Sequence, residues 1–271
     1  MSAARGVAVV TGAAGGLGRR IVIDLANVGY DVVATDVTTH AEFAGVTGVT
    51  TRTLDVRNAV ACRELADSVQ PAVWINCAGV LGAGDAATQP DSDIEQIVAV
   101  NLLGVMHGTR AAVAVMRTIG GGHVINVASL AAWVPVPGEC VYAATKAGVL
   151  SFSLGLKAEL QSQGVSGIEI SVVCPDGMLT PMITSVIDNP AIALTFSGPR
   201  LTTVDAVSSR VVKLLDSPRA VASVPRWRGA QVRVLGMVPD IATRALPLFR
   251  RIGLANQNKV RDQLDHASHG A

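Results

Sequence analysis

A tyrosine and a lysine four residues apart are the side chains of this sequence best suited to exchange a proton with a ligand. Tyr142 and Lys146 occur in the run YAATK, and Ser129 precedes the tyrosine by thirteen residues. Residues four apart lie on one face of a helix, so the phenol and the ammonium would point into the same space. A free phenol titrates at about pH 10, and a neighbouring cation favours its ionised form. We therefore predict an acid–base pair in which Lys146, together with a cationic ring nearby, lowers the pKa of Tyr142.

Ser129 is predicted to lie at the end of a strand that precedes this helix. The run Val124 to Ala128 is typical of a buried strand, and Ser129 follows it directly. Ligands of open α/β sheets bind at the carboxyl ends of the strands, where the Ser129 hydroxyl would hold a substrate carbonyl. Tyr and Lys at this spacing are commonly a solvated helix face. The catalytic interpretation therefore requires that the rest of the chain supply a hydride-transfer site.

The amino-terminal part of the chain has the pattern of a phosphate-binding loop. The apolar run Val7 to Val10 is followed by Thr11 and the stretch GAAGGLG, and a helical pattern continues to Val28. Glycines let the backbone approach a pyrophosphate, and the helix N-terminus presents free N–H groups. The residues predicted to contact a dinucleotide here are Gly12, Gly15, Gly16, Leu17 and Gly18.

The second predicted strand, Asp31 to Asp36, ends in a carboxylate eighteen residues after Gly18. A carboxylate at this place accepts both hydroxyls of an adenosine ribose and repels a 2′-phosphate. No Arg or Lys lies between Gly12 and Gly18 or just after Asp36. The predicted cofactor is therefore NAD rather than NADP. The structural alternative is a turn aspartate after a strand.

Two further predicted strands end in candidate cofactor contacts. Thr50 to Val56 closes on Asp55 and Val56, where the carboxylate could accept the adenine amino group or else cap the helix that starts near Asn58. The strand at residues 73–75 is followed by small residues that would leave room for a ribose, although a plain turn has the same composition. The candidates there are Asn76, Ala78 and Gly79, with Cys77 between them.

Asn101 lies among apolar residues on a long predicted helix, Asp91 to Met116. A buried amide needs hydrogen-bond partners, so it either ties backbone together or holds a water. Both interpretations stay open. His107 and His123 show no partner pattern and are interpreted as structural.

The carboxyl-terminal third is predicted to supply the substrate site. A strand at Ile168 to Cys174 is followed by an apolar, turn-rich segment to Pro199, which we interpret as a substrate lid. Its Met, Ile, Leu and Phe196 side chains favour an apolar substrate, unless they pack under the loop. A helix at residues 204–215 and a last strand at residues 220–224 follow. The predicted organisation is a dinucleotide-binding and catalytic domain, 1–224, with an extension, 225–271, packed on it.

The extension is basic and apolar. From Pro225 onward there are eight Lys or Arg and three Asp or Glu, against fourteen and eighteen before it. Pro239 and Pro247 are expected to break any long helix. Three interpretations compete: packing as a cover of the substrate site, which we favour, a membrane-surface segment, or a subunit arm.

Composition excludes several classes of protein. Hydrophobic residues make up 49% and charged residues 16%, so the chain can bury a large core. The balance of 22 basic and 21 acidic residues gives no overall field for nucleic acid. The four cysteines have no metal-ligand spacing and are interpreted as buried thiols of a reducing compartment. No run of about 18 apolar residues predicts a transmembrane segment, and the first six residues are too short for a signal peptide, so we expect a cytoplasmic protein.

The predicted helix Tyr142 to Gln161 is rich in small residues that favour close packing with a neighbour. These are Ala143, Ala144, Ala147, Gly148 and Ser151. Together with the preceding long helix they could form an intersubunit face. We therefore expect a homo-oligomer, a dimer or a tetramer.

Over roughly residues 5 to 224 the chain resembles the classical short-chain dehydrogenases/reductases. The resemblance rests on Thr11-Gly12 with Gly16-Leu17-Gly18, Asp55, Asn76-Cys77-Ala78-Gly79, Asn101, Ser129, Tyr142 with Lys146, and Pro175 with Thr180. It implies a Rossmann-type, doubly wound α/β fold with a mostly parallel seven-stranded sheet. It also implies hydride transfer between NAD and a small-molecule alcohol or ketone.

The resemblance assigns a role to each matched residue. Tyr142 would be the acid–base, Ser129 the donor to the substrate oxygen, Lys146 the ribose anchor, Asn101 the holder of a relay water, and Thr180, near Pro175, the contact of the nicotinamide carboxamide. Two departures stand out: Cys77 replaces a usual asparagine, and Asp176 a usual glycine beside the nicotinamide. A carboxylate there could favour the cationic oxidised ring.

Two other functions compete with alcohol oxidation on an apolar substrate. Gly12, Gly15 and Gly18 also fit the glycine spacing of the family's extended branch, whose sugar-nucleotide epimerases and dehydratases carry a larger carboxyl-terminal domain. A non-catalytic dinucleotide-sensing protein is the other alternative. The complete set of Ser129, Tyr142 and Lys146 argues against it.

Overall fold

The apolar runs of the sequence form the strands of one parallel sheet. A computed structural model describes residues 5–38 and 43–269, so parts of both predicted domains (1–4, 39–42 and 270–271) lie outside the described residues. Within these ranges the strands are β1 (Val7–Thr11), β2 (Asp31–Asp36), β3 (Val49–Thr53), β4 (Val73–Asn76), β5 (Gly122–Val127), β6 (Ile168–Pro175) and β7 (Val221–Val224). Their order is β3-β2-β1-β4-β5-β6-β7, and every pairing is parallel. This is the predicted doubly wound α/β fold.

The helices lie between the strands in sequence. They are α1 (Gly16–Asn27), α2 (Ala59–Val69), α3 (Asp91–Val98), α4 (Gly104–Ile119), α5 (Cys140–Ser162), α6 (Pro181–Thr184), α7 (Val204–Asp216), α8 (Arg226–Gly236) and α9 (Pro239–His269). Two short 3-10 helices, Leu130–Ala132 and Pro190–Phe196, follow β5 and α6.

Different helices cover the two faces of the sheet, because successive strand residues point to opposite sides. Ala8 and Val10 pack with α1 and α7, whereas Val9 between them packs with α2 and α4. All three side chains are fully buried, which explains why this strand is an unbroken apolar run. Burying one valine side chain contributes about 1.5–3 kcal/mol. The glycine turn after β1 is thus anchored to the middle of the sheet.

The loops that leave β1 and β4 meet at the point where the strand order reverses. The Thr11 hydroxyl accepts hydrogen bonds from the backbone N–H groups of Cys77 (3.1 Å) and Ala78 (3.2 Å). Gly12 has φ +71°, and a Cβ there would lie 2.6 Å from the Ala78 Cα. The close approach therefore requires glycine at this position. Ligands of open α/β sheets bind in the crevice at such a reversal.

The long helix predicted from Asp91 is interrupted by a π-helical turn. α3 ends at Val98, the turn spans Ala99–Leu103 with Asn101 at its centre, and α4 continues to Ile119. Such turns are frequent at functional sites.

The same stretch, 91–119, is long and apolar enough to cross a membrane by length and composition alone. Half of its most apolar window is buried inside the fold, and α4 packs against α2, β4 and β5. A core helix of a globular protein passes the same test, so the stretch is weak grounds for a membrane span.

The extension contains a long helix, contrary to the prediction that its prolines break it. Pro239 is the first residue of α9, a position where proline costs nothing because that N–H has no helical partner. Pro247 lies inside the helix, where proline costs about 3 kcal/mol. Packing offsets this cost: a Cβ at Gly253 would lie 1.9 Å from the Ala193 carbonyl oxygen, and Gln257 donates to the carbonyls of Ile187 and Asn189.

Candidate active site

A cavity of about 430 Å³ lies at the carboxyl ends of the strands. The predicted site residues that line it are Gly12, Gly15, Gly16, Leu17, Gly18, Asp36, Asp55, Val56, Ala78, Gly79, Ser129, Tyr142, Lys146, Pro175 and Thr180. Among the described residues, two predicted site residues lie away from it, Asn76 and Asn101. The fold thus gathers fifteen of the seventeen predicted positions at one place.

The glycine turn leaves backbone exposed to the cavity. A Cβ on Gly18 would lie 2.1 Å from the Gly12 carbonyl oxygen, so the turn closes only with glycine there. Gly15 caps α1 and offers no side-chain oxygen to its first N–H groups. A helix start of this kind binds phosphate through free N–H groups and the helix dipole. The turn therefore fits a dinucleotide's diphosphate.

Asp36 ends β2 beside this turn. Its Oδ2 accepts a 3.0 Å hydrogen bond from the Ala14 N–H, and its Oδ1 accepts one of 2.7 Å from the Val37 N–H. Each carboxylate oxygen can accept more than one hydrogen bond, so the group can still receive two ribose hydroxyls. The structural alternative is also present, since the carboxylate braces the glycine loop.

Asp55 lines the cavity, but it lies two residues beyond β3, which ends earlier than predicted. Arg57 binds both carboxylate oxygens, with Nε at 2.9 and 3.0 Å and Nη2 at 2.6 Å. Hydrogen bonding by Arg57 lowers the pKa of Asp55. The suggestion that Asp55 caps α2 is wrong, because the Asn58 side chain accepts from the N–H groups of Val60 and Ala61.

Asn76 is buried beneath the cavity and is not among its lining residues, so the structure brings it near the site without placing it on the cavity wall. It accepts from the Trp74 indole at 2.9 Å and donates to Asn126 at 2.8 Å and to Thr109 at 3.1 Å. Asn126 in turn donates to the Ser153 hydroxyl of α5. Asn76 is the last residue of β4 and alternates away from the crevice.

Asn101 is fully buried, and its side chain forms hydrogen bonds with backbone groups. Its Oδ1 accepts from the Val80 N–H at 2.8 Å, and its Nδ2 donates to the Val80 carbonyl at 2.8 Å. The side chain therefore ties backbone together, which is one of the two interpretations left open by the sequence. It fixes the segment after Gly79. That glycine lies next to Lys146, because a Cβ built on Gly79 would lie 3.7 Å from the Lys146 Nζ.

Ser129, Tyr142 and Lys146 lie together in the cavity. Ser129 follows β5 and caps a 3-10 helix by accepting from the Ala131 N–H. The Lys146 Nζ lies 5.5 Å from the centre of the Tyr142 ring and donates a 3.0 Å hydrogen bond to the Val127 carbonyl. The lysine is only 4% exposed. Strand end and helix thus hold a hydroxyl, a phenol and an ammonium in one space.

The pKa directions in this group differ from the prediction. Burial raises the pKa of the Tyr142 phenol, and the Glu139 carboxylate raises it further, while the Ser129 hydroxyl acts in the opposite direction. Burial lowers the pKa of Lys146 to about 8. Removal from water disfavours the charged forms of both groups. The expected lowering of the phenol's pKa, which also needs a cationic ring beside it, stays a prediction for the NAD-bound protein.

A family model described as short chain dehydrogenase matches residues 6–191. The chain belongs to the short-chain dehydrogenase family. Residues of this short-chain dehydrogenase are 34% identical over 189 positions to the probable oxidoreductase EphD of Mycobacterium tuberculosis, covering 65% of the chain but 31% of the relative. The chain thus spans about a third of that relative. It is 30% identical over 186 residues to 3-beta-hydroxysteroid dehydrogenase of Comamonas testosteroni, covering 65% of the chain and 72% of the relative.

Solved structures share the fold of this short-chain dehydrogenase. A short-chain dehydrogenase/reductase from Burkholderia phymatum in complex with NAD superposes with TM-score 0.76 at 24% identity, covering 90% of this chain and 96% of that one. One from Burkholderia cenocepacia in complex with NADP gives 0.74 at 22% identity, covering 92% and 99%. Both nicotinamide cofactors occur among these neighbours.

Glu139 is a cavity residue of this short-chain dehydrogenase that sequence reasoning missed. It precedes Tyr142 by three residues, is buried, and accepts a 2.8 Å hydrogen bond from the Thr195 hydroxyl. Burial raises the pKa of its carboxyl to about 7. Its position three residues before Tyr142, directly ahead of α5, was the available signal.

Arg228 is the second missed residue. Its guanidinium lies 3.4 Å from the Asp176 carboxylate and donates to Ser197 and Gln231, and both members of the ion pair line the cavity. Burial raises the pKa of Asp176, and the Arg228 charge opposes this. No sequence signal links positions 52 residues apart.

Apolar side chains cover the cavity from two segments of this short-chain dehydrogenase. The loop after β6 and α6 supplies Met178, Met182, Ile183 and Leu194, and the extension supplies Val232, Leu235, Ala242, Leu246 and Phe249. Phe196 and Ile192 instead pack under the lid segment, as the alternative from the sequence allowed. Residues of the extension thus line the cavity, in line with the interpretation favoured from the sequence, whose role as a substrate cover stays a prediction.

Proposed function

We propose that this short-chain dehydrogenase interconverts a secondary alcohol and a ketone with NAD. The observation that carries the proposal is the shared cavity of Ser129, Tyr142 and Lys146 with the glycine turn that fits a diphosphate. A proton-exchanging group beside a dinucleotide site is the minimum that hydride transfer requires.

The Tyr142 phenolic oxygen accepts the proton of the alcohol in the oxidative direction and returns it in the reductive direction. The Ser129 hydroxyl donates a hydrogen bond to the substrate oxygen and so fixes its position. Lys146, anchored on Val127, would hold the ribose hydroxyls next to the nicotinamide. When bound, NAD supplies the hydride acceptor and a cationic ring whose charge favours the phenolate. Thr180 and the backbone after Pro175 would meet the carboxamide.

NAD is the proposed cofactor because Asp36 lines the place where an adenosine ribose would lie. A 2′-phosphate within about 4 Å of the carboxylate would be disfavoured by a few kcal/mol at intermediate dielectric. The Ala14 N–H already holds the carboxylate against the glycine loop, so it is pre-positioned. Asp36→Ala is expected to narrow the preference for NAD⁺ over NADP⁺, measured as the ratio of kcat/KM values.

An apolar steroid-, terpenoid- or acyl-like substrate is supported by the cover of the cavity. Leu235, Leu246 and Phe249 face the cavity from one side, and Met182 and Leu194 from the other. The relatives include proteins named 3-beta-hydroxysteroid dehydrogenase and (3R)-3-hydroxyacyl-CoA dehydrogenase. Among polar residues in this region, Arg228 is paired with Asp176 and Glu139 with Thr195.

Reduction of NAD⁺ across steroid, terpenoid, acyl and sugar alcohols tests the proposal. Turnover is expected with an apolar alcohol, and Tyr142→Phe should abolish it while NAD⁺ binding, followed by fluorescence or calorimetry, persists. Turnover of a nucleotide sugar without net NAD⁺ reduction would favour the extended-type epimerase or dehydratase. Binding of NAD⁺ with no turnover of any alcohol would favour a sensing protein.

We also propose a homo-oligomer formed through α4 and α5, in a cytoplasmic protein. The exposed side chains of Ala144, Ala147 and Ser151 on α5 support a close helix contact. All four cysteines lie in the described ranges, and none forms a disulfide. Cys140 is exposed rather than buried, a correction to the sequence prediction. A monomeric mass by light scattering at micromolar concentration would reject the oligomer.

A further inference from the structure

The two helices of the extension have one face turned to the cavity and the other turned outward. The inner face carries Val232 and Leu235 of α8 and Ala242, Leu246 and Phe249 of α9, all of which line the cavity. An amphipathic helix normally completes its outer face with polar residues. In α8 and α9 the outer face departs from this rule.

The outer face is rich in large apolar side chains. From here on, the outer face means this set of exposed apolar residues: Trp227, Val234, Met237, Val238, Ile241, Leu248 and Ile252. Met237 is 80% exposed, and Ile241 and Leu248 are 61% and 60% exposed. Trp227 and Val234 are seven residues apart on α8, and Ile241 and Leu248 are seven apart on α9, so each pair lies along one side of its own helix. Exposed apolar patches of this kind mark interaction sites.

Arginines border the outer face. Arg226, Arg244, Arg250 and Arg251 are exposed, and Asp240 is the one acidic residue in the sequence from Arg226 to Ile252. None of these four arginines makes an ion pair within the part of the chain that the structure describes. The patch therefore combines apolar side chains with uncompensated positive charge.

We propose that the outer face docks on an anionic lipid surface. Apolar side chains of an interfacial helix enter the boundary between headgroups and acyl chains, and arginines at its edge bind anionic headgroups. The inner face of the same helices covers the cavity, so docking places the cavity cover against the bilayer. An apolar substrate would then enter from lipid rather than from water. Only this last step rests on the proposed function.

A second copy of the chain fits the outer face less well. In a two-fold pairing the same patch meets itself, so four exposed arginines of one copy would approach four of the other. One aspartate per copy cannot balance them. Anionic headgroups supply the missing negative charge on every side.

Sedimentation with vesicles tests the proposal on the full chain. One vesicle type contains equal parts of phosphatidylglycerol and phosphatidylcholine, the other phosphatidylcholine alone. Wild type is expected to bind the anionic vesicles at least tenfold more tightly than the neutral ones. Met237→Gln, Ile241→Gln and Leu248→Gln combined should weaken binding to anionic vesicles at least tenfold. Val60→Gln is the matched control, because Val60 is a 51% exposed apolar residue on α2, far in sequence from the extension.

A second variant separates charge from folding. Arg244→Gln with Arg251→Gln keeps all apolar side chains, and it should weaken binding to anionic vesicles on the order of tenfold, with an unchanged melting temperature. The proposal is overturned if wild type binds neither vesicle type. It is also overturned if the triple Gln variant changes only the oligomer size, which would make the outer face a subunit contact. Activity on a water-soluble alcohol should be the same in all variants, so loss of vesicle binding and failure of the proposed chemistry are distinguishable.

Discussion

Arg228 of the extension and Asp176 of the loop after β6 form an ion pair inside the cavity wall. The Nε and Oδ2 atoms are 3.4 Å apart, and the two side chains are 10% and 16% exposed. Asp176 is also held through its backbone N–H, which donates to the Val224 carbonyl just before the extension begins. The pair therefore joins the extension to the loop that borders the proposed nicotinamide site.

Arg228→Gln should destabilise the protein. It leaves the Asp176 carboxylate buried without its cation, which typically costs about 3–5 kcal/mol. The free energy of unfolding from urea titrations measures the loss. Arg226→Gln, two residues earlier and exposed, should change it by less than about 0.5 kcal/mol. Adding Asp176→Asn to Arg228→Gln should recover part of the loss, and no recovery would mean that the pair does not carry the effect.

Asp176→Gly should weaken NAD⁺ binding more than NADH binding. The substitution leaves the Arg228 guanidinium without its carboxylate near the ring, and a positive charge opposes the cationic oxidised form. Dissociation constants of both forms measured by calorimetry give the ratio. Equal losses for the two forms would remove Asp176 from any role in redox discrimination.

Glu139 should make stability depend on pH. Its pKa is about 7 in the folded protein, against an ordinary value of 4.5. Because the folded value is the higher one, its contribution to stability is fully present below about pH 4.5 and is lost as the pH rises through 7. The loss approaches about 3 kcal/mol. Unfolding free energies of wild type should therefore fall more steeply than those of Glu139→Gln over this range, with Glu64→Gln as the surface control. Parallel curves would contradict a buried, titrating carboxyl.

Glu139→Gln should also shift the pH dependence of catalysis. The Glu139 carboxylate raises the pKa of Tyr142, so its removal lowers that pKa. The rising limb of kcat for alcohol oxidation should move to lower pH. Thr195→Val removes a hydrogen bond that favours the ionised carboxyl, so it should move the limb in the same direction. A change in the maximum rate without movement of the limb would indicate a purely structural role.

Gly18→Ala should abolish dinucleotide binding. The added Cβ would lie 2.1 Å from the Gly12 carbonyl oxygen, so the turn must open. Gly155→Ala in α5 is the matched control, because nothing lies within 4 Å of its Cβ position. That control should bind normally and gain about 0.5–1 kcal/mol in stability. Normal NAD⁺ binding by the Gly18 variant would place the dinucleotide elsewhere.

The sheet and the position of the site could be predicted from the sequence because their signals are local. Apolar runs such as Val7 to Val10, followed at once by glycines, specify strand, turn and crossover without knowledge of distant residues. The pairing of Tyr142 with Lys146 follows from helix geometry alone. In each case one or two turns of backbone contain the whole pattern.

The remaining features depend on packing between distant parts of the chain. β4 extends one residue past its apolar run and includes Asn76. Strand alternation then turns the Asn76 side chain away from the cavity. The partnership of Arg228 with Asp176 requires the extension to fold back over the sheet, and the continuity of α9 past Pro247 depends on packing against residues 187–193. The pKa of Tyr142 depends on burial, and the spacing of two residues in the sequence does not predict how deeply they are buried.

The buried amides beneath the cavity have a mechanical consequence. Trp74, Asn76, Asn126 and Ser153 connect β4 through β5 to α5, and Ser153 donates to the Val149 carbonyl one turn from Lys146. This brace fixes the rotation of α5 about its own axis. The side chains of Tyr142 and Lys146 therefore keep their orientation when residues of the cover above them are replaced, so the cover can be redesigned for new ligands without disturbing that pair.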